Sequence, residues 1–179
     1  MRRLTLATAA FAAVVAVAAA PPPAMIEWPY YGGDQAGTKW SAAAEINRDT
    51  VTRLEFAWSW TPGDKPLPQF GTQPGSFENT PLMIDNVLYV STPYNRVVAL
   101  DGETGREIWA HDPRAYEGGQ PPNGTGFVHR GVAAWRDRGA LQIFLNSRSR
   151  LFCIDARTGA LVPSFGANGS ISLTEGLRW

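Results

Sequence analysis

Cysteine is almost absent from this chain: Cys153 is the only one in 179 residues. A single thiol builds no internal disulfide framework, and no CxxCH run offers attachment to a c-type haem. Histidine is nearly as scarce. His111 and His129 are the only two, and neither sits in a metal-ligand spacing, so both are expected to be structural. An excess of one charge is missing too, because 16 basic residues balance 16 acidic ones without a long like-charge run. That leaves no basic face to hold phosphates and argues against a nucleic-acid partner. Phosphate loops, GxSxG and EF-hand patterns are absent. No amphipathic helix of useful length appears, and past residue 20 no apolar run is long enough to cross a bilayer.

What is present starts with MRRLTLATAAFAAVVAVAAA at residues 1–20. Arg2 and Arg3 form a basic head, an apolar stretch follows, and small residues end it just before Pro21-Pro22-Pro23. This is the pattern of a secretory signal peptide, so a periplasmic or exported protein is expected. The prolines after the alanine run keep a second reading open, an uncleaved signal that acts as a membrane anchor. Without residues 1–20 the formal charge is −2. Residues 21–53 read as a leader, with one helical turn expected within Ser41 to Asp49.

From residue 54 the pattern changes. Leu54, Phe56, Trp58 and Trp60 alternate with more polar or smaller residues, as in a strand. After a loop rich in Pro and Gly come four short strand-like runs, at Pro81–Ile84, Val87–Ser91, Arg96–Leu100 and Arg106–His111. Their links are short and turn-like, which predicts a four-stranded antiparallel meander. A second set follows at Gly131–Trp135, Leu141–Asn146 and Arg150–Ile154, with a less regular piece ending near Leu173. Cys153 falls inside the apolar run 151–154, where a buried, inert thiol is expected.

The two sets align. Asp101-Gly102-Glu103-Thr104-Gly105 matches Asp155-Ala156-Arg157-Thr158-Gly159 at an offset of 54, and the same offset carries Arg96 onto Arg150. A repeat of about 50 residues holding four short strands is the mark of a propeller blade. The fold class is therefore all-β: a β-propeller of four-stranded antiparallel blades, with material for two, blade 1 at about 78–112 and blade 2 at about 130–173. Closed propellers use about 4–8 blades, so downstream blades are missing.

The run Ala99 to Trp109 reads AxDxxTGxxxW. Asp and Thr bond their own turn, Gly allows positive φ, and a small Ala lets the flat Trp109 ring approach. On spacing alone an ordinary hairpin turn beside a core tryptophan also fits; the second copy weighs against it. This motif resembles the tryptophan-docking motif of the pyrroloquinoline-quinone (PQQ) dependent dehydrogenases, an eight-bladed propeller family. Glu78 to Val90 resembles the first blade of that family, and His129-Arg130-Gly131-Val132-Ala133-Ala134-Trp135 resembles the start of its second. Trp28 to Asp34 with Gly37-Thr38-Lys39 resembles the N-terminal segment of its glucose and alcohol branches.

The resemblance implies two cofactor contacts, Glu78 and Arg130, each opening a blade. A guanidinium suits a quinone that carries three carboxylates, and Glu78 suits Arg130 or a pyrrole N–H. A surface ion pair, or two unrelated solvated charges, is the plainer alternative. The family also implies Ca²⁺ as a Lewis acid on the quinone, with an aspartate taking the alcohol proton. Those residues are expected in later blades, outside this chain, so no catalytic or metal residue is assigned. Implied partners are a sugar or alcohol substrate and an electron acceptor, ubiquinone or cytochrome c. Gly124-Thr125-Gly126 stands where alcohol-oxidising members often carry adjacent cysteines, which leans towards the glucose-dehydrogenase-like branch. In the second docking motif Pro163 replaces the Trp and Cys153 the Ala. A cofactor-free propeller scaffold of the bacterial envelope is the competing reading. Glu78, Arg130 and the Gly32 to Lys39 segment weigh against it, since a scaffold needs none of them.

Overall fold

The computed structural model describes residues 25–178, so the signal sequence read in residues 1–20 lies outside the described residues. Eight strands form two antiparallel sheets of four, in the orders β1-β2-β3-β4 and β5-β6-β7-β8. The first holds β1 (Leu82–Ile84), β2 (Val87–Ser91), β3 (Val97–Asp101) and β4 (Glu107–His111). The second holds β5 (Ala133–Asp137), β6 (Ala140–Ser147), β7 (Arg150–Asp155) and β8 (Ser170–Ser172). Among the described residues the only helical pieces are short 3₁₀ turns, at Val51–Arg53, Pro68–Phe70 and Ala115–Gly118.

Local chemistry sets the strand ends. Pro81 has no N–H to give a ladder, and β1 starts one residue later, at Leu82. Asp85 and Asn86 link β1 to β2 with φ of 52° and 60°, the twist that a two-residue hairpin needs. Strand β5 starts two residues beyond its expected start because Gly131, at φ 140°, is spent on a close backbone approach. The turn expected within Ser41 to Asp49 forms just after it, at Val51–Arg53.

The repeated motif is built twice with one geometry. Asp101 Oδ1 accepts the Thr104 N–H at 2.8 Å and its hydroxyl at 2.7 Å, and Asp155 Oδ1 accepts the same two groups of Thr158 at 2.9 Å each. Gly105 and Gly159 close these turns at φ 70° and 73°. Trp109, paired with the fully buried Ala99, sends its indole N–H to the Ala156 carbonyl of the next sheet at 2.8 Å. Its ring lies so close to Gly159 that a Cβ there would sit 2.7 Å away.

A buried core fills the space between the sheets, with Leu82, Ile84, Tyr89, Val97 and Ala99 facing Ile143, Leu145, Ile154 and Ala156. These residues alternate along each strand with residues of the opposite face, as a pleated sheet requires. Burial raises the Tyr89 hydroxyl to a pKa of about 12, with the Asp85 charge adding to the effect.

The segment Leu54–Trp60 differs from its expected form: it joins no strand ladder. Its alternation still has a structural use. Leu54 and Phe56 are exposed, whereas Trp58 and Trp60 are half-buried against the outer side of the first sheet. Trp60 packs on Val90, Val98 and Leu100 and donates to Glu107 Oε1 at 2.7 Å. Trp58 lies on Gly105, where a Cβ would sit 2.4 Å from the ring, just as Trp109 lies on Gly159. This segment therefore takes the place of a preceding blade's docking strand. A ladder needs a neighbouring strand, and the described residues supply none on that side.

The last piece of the second sheet is irregular, and Pro163, with no N–H to give a ladder, stands where a docking tryptophan would fall. Val162 donates to the Cys153 carbonyl at 2.9 Å, the chain turns through Phe165 to Gly169, and β8 then returns to pair with β7. Cys153 is fully buried, and burial pushes its thiol pKa up. The far face of this sheet presents Trp135, 61% exposed.

Candidate functional site

Glu78 and Arg130 sit in the two segments that lead into β1 and β5, the first strands of their sheets. Backbone bonds hold these segments together. The Thr80 N–H donates to the Arg130 carbonyl at 3.0 Å, and the Gly75 N–H to the Phe127 carbonyl at 2.9 Å. At Gly131 a Cβ would sit 2.8 Å from the Thr80 carbonyl oxygen, so only glycine permits the approach.

The approach brings the two expected site residues into contact. Arg130 Nη2 lies 2.9 Å from Glu78 Oε2. The Arg130 side chain is 79% exposed and that of Glu78 40%, so most of the guanidinium fork faces open space. Beside it is a concave hollow of about 360 Å³, lined by Tyr31, Thr80, Leu82, Val128, His129 and Arg130 among others. A guanidinium with one edge engaged keeps further N–H groups for a planar anion, and Glu78 offsets its charge meanwhile.

Directly behind the pair is a polar bridge that sequence reading reduced to an isolated histidine. His129 is 7% exposed, and its ring spans the sheets, with Nδ1 2.7 Å from Ser91 Oγ and Nε2 2.9 Å from the Asn146 carbonyl. Burial holds its pKa below the ordinary histidine value. Ser91 also meets Asn79, whose Oδ1 lies 2.9 Å from the Ser91 N–H and 2.8 Å from its hydroxyl. No sequence spacing marks this set, since its members come from four separate segments.

Other charges have structural partners. The Asp64 side chain, only 3% exposed, accepts the Tyr94 N–H at 2.9 Å and faces Arg96. Asp34 holds the Thr38 N–H and hydroxyl, which lowers its pKa. Arg136 reaches both oxygens of Asp85 at 2.8 Å across the sheets. His111 bonds the Gly159 carbonyl at 3.2 Å. Among the described residues no three His, Cys, Asp or Glu side chains gather in a group able to hold a metal ion.

Comparison with known proteins places this architecture. The family model of the PQQ-type glucose/ethanol/alcohol dehydrogenase β-propeller domain matches residues 28–179. The chain belongs to this family. Its two sheets are thus blades of a dehydrogenase β-propeller. The quinate/shikimate dehydrogenase (quinone) of Acinetobacter baylyi is 29% identical over 88% of this chain and 21% of its own length. The quinoprotein glucose dehydrogenase of Escherichia coli is 31% identical over 82% of this chain and 20% of its own length. The crystal structure of the quinohemoprotein alcohol dehydrogenase from Comamonas testosteroni superposes with a TM-score of 0.62 at 28% identity, covering 86% of this chain and 20% of the other. The chain spans about a fifth of the length of these PQQ-family relatives.

Proposed function

We propose that this chain forms the first blades of an exported PQQ-dependent dehydrogenase, and that Glu78 and Arg130 contact the cofactor. The observation that carries this reading is the 2.9 Å pair at the entrances of adjacent blades, its guanidinium largely open beside a hollow. The donor set fits the ligand. PQQ is a flat tricarboxylate, and an arginine fork pairs with carboxylates in plane. Glu78 keeps that fork turned to one side and can accept a ring N–H. Bound PQQ supplies the two-electron acceptor for oxidising an alcohol or aldose to its carbonyl form.

The remaining machinery belongs to blades outside these 179 residues. The Ca²⁺ ligands and the proton-accepting aspartate are placed there by the family resemblance. The substrate is a sugar or an alcohol, with the glucose-type branch favoured by Gly124-Thr125-Gly126 in place of paired cysteines. Electrons pass on to ubiquinone or cytochrome c. Arg2-Arg3 and the apolar run after them direct the protein to the periplasm, free or held by an uncleaved signal.

The test is PQQ titration of the complete propeller, in which this chain is joined to downstream blades, read by quenching of tryptophan fluorescence. Arg130→Leu removes charge-assisted bonds worth about 1.5–3 kcal/mol, so affinity should fall about 10-fold to 100-fold. Unchanged affinity overturns the assignment. The 179 residues alone leave one sheet face uncovered and should show no dye-linked activity with PQQ and Ca²⁺; turnover by them would count against the reading.

A further inference from the structure

Resting on the cofactor assignment above, we propose that His129 is a positioning residue, whose Nδ1 edge fixes the backbone at Arg130 and so aims its guanidinium. His129 precedes Arg130 in the chain, and Asn79 follows Glu78. Both halves of the clamp are therefore rooted in one buried network.

Donor and acceptor chemistry settles the state of the ring. The Asn146 carbonyl can only accept, so the Nε2 atom facing it at 2.9 Å carries a hydrogen. The Gly131 N–H can only donate, and it points at Nδ1 at 3.3 Å, so Nδ1 is bare. The ring is the neutral Nε2–H tautomer, as its burial favours. The single Nδ1 lone pair then faces two donors, the Gly131 N–H at 3.3 Å and the Ser91 hydroxyl at 2.7 Å.

The backbone around Arg130 is thereby held on both sides. Its carbonyl takes the Thr80 N–H at 3.0 Å, and the next N–H is taken by the His129 ring. Gly131, at φ 140°, has no side chain to restrain it, so the bond from its N–H to the ring is one of the few restraints on this joint. A fixed backbone root narrows the directions the Arg130 side chain can take and so lowers what ordering it on a ligand costs. The Ser91 hydroxyl has one hydrogen, and both Nδ1 at 2.7 Å and Asn79 Oδ1 at 2.8 Å face it. Independently, the Asn79 Nδ2 group is buried and without a partner. The network thus has an unpaired donor on the Glu78 side, whereas on the Arg130 side the Gly131 N–H is paired. This is the arrangement of a joint that fixes the arginine.

A simple staple between sheets would make either ring nitrogen equally important, and two isosteres separate the cases. His129→Asn keeps an acceptor at the Nδ1 position and loses the Nε2 donor; His129→Gln keeps a donor near Nε2 and loses the Nδ1 acceptor. In the complete propeller, PQQ affinity is measured by fluorescence quenching for both, with His129→Leu and Ser91→Ala, and each variant's unfolding midpoint is recorded. The expected result is His129→Asn within about threefold of wild type and His129→Gln and His129→Leu about 10-fold weaker, the effect of losing one buried hydrogen bond. If His129→Leu does not fold, the Asn and Gln pair decides alone. Equal affinities for Asn and Gln overturn the proposal. Arg130→Leu separates the two levels: if it weakens PQQ and His129→Gln does not, only the positioning role fails. If Arg130→Leu has no effect, the cofactor assignment fails, and the positioning role fails with it.

Discussion

Gly159→Ala is the sharpest probe of how the two blades hold together. Two effects add at this position. The backbone sits at φ 73°, a left-handed conformation that costs a residue with a Cβ about 1–2 kcal/mol. The new Cβ would also stand 2.7 Å from the Trp109 ring, and relief of such overpacking costs about 1–3 kcal/mol. Moving the ring would strain the 2.8 Å bond from the Trp109 indole to Ala156. The total is about 2–5 kcal/mol of lost stability. Gly71→Ala is the control. Gly71 has a similar φ of 63° with nothing within 4 Å of its Cβ position, so it bears the backbone penalty alone. Urea unfolding followed by tryptophan fluorescence should place Gly159→Ala about 1–3 kcal/mol below Gly71→Ala. In a Trp109→Leu background the gap should shrink, because the ring that causes it is gone. Equal losses for Gly159→Ala and Gly71→Ala would refute the docking of Trp109 on Gly159.

Further outcomes follow from the buried titratable groups and the cross-sheet pair. Burial depresses the pKa of both His111 and His129 in the fold, so the unfolded chain binds protons more readily; stability should hold above the ordinary histidine pKa of 6.5 and fall as the pH drops below it. Unfolding midpoints across that range check this, and His129→Asn should flatten part of the slope. Tyr89 is raised from 10.0 to about 12, so its contribution is complete below pH 10 and lost as pH climbs through 12. Phenolate absorbance should show a slow-titrating tyrosine that disappears in Tyr89→Phe. Arg136→Met removes an exposed pair in which one nitrogen, Nη2, meets both Asp85 oxygens, so it should cost less than about 1 kcal/mol; a loss well above that would show the pair to be a main tie between sheets.

The blades were legible because strand alternation and the Asp-x-x-Thr-Gly turn are local: each turn bonds within itself, and the copy at Asp155 repeats the one at Asp101. Tertiary placement was legible only where a motif encodes it, as at Trp109. Trp58 carries no such motif, so its alternation pointed to a strand but not to its seat on Gly105. Glu78 and Arg130 were found through resemblance, since nothing in their spacing announces a 2.9 Å contact. The Asp64 carboxylate accepts the Tyr94 N–H and meets Arg96, partners about 30 positions away that no local rule connects. His129 was set aside as lacking ligand spacing, which is correct for a metal and silent about a bridge to Ser91 and Asn146.

The role of the blade-entrance pair is tested most directly by a crystal structure of the complete propeller with PQQ bound. Arg130 should lie within about 3 Å of a PQQ carboxylate, with Glu78 in contact with the same molecule. Electron density that puts both side chains in bulk water, turned away from the quinone, would contradict the assignment and leave only the blade architecture standing.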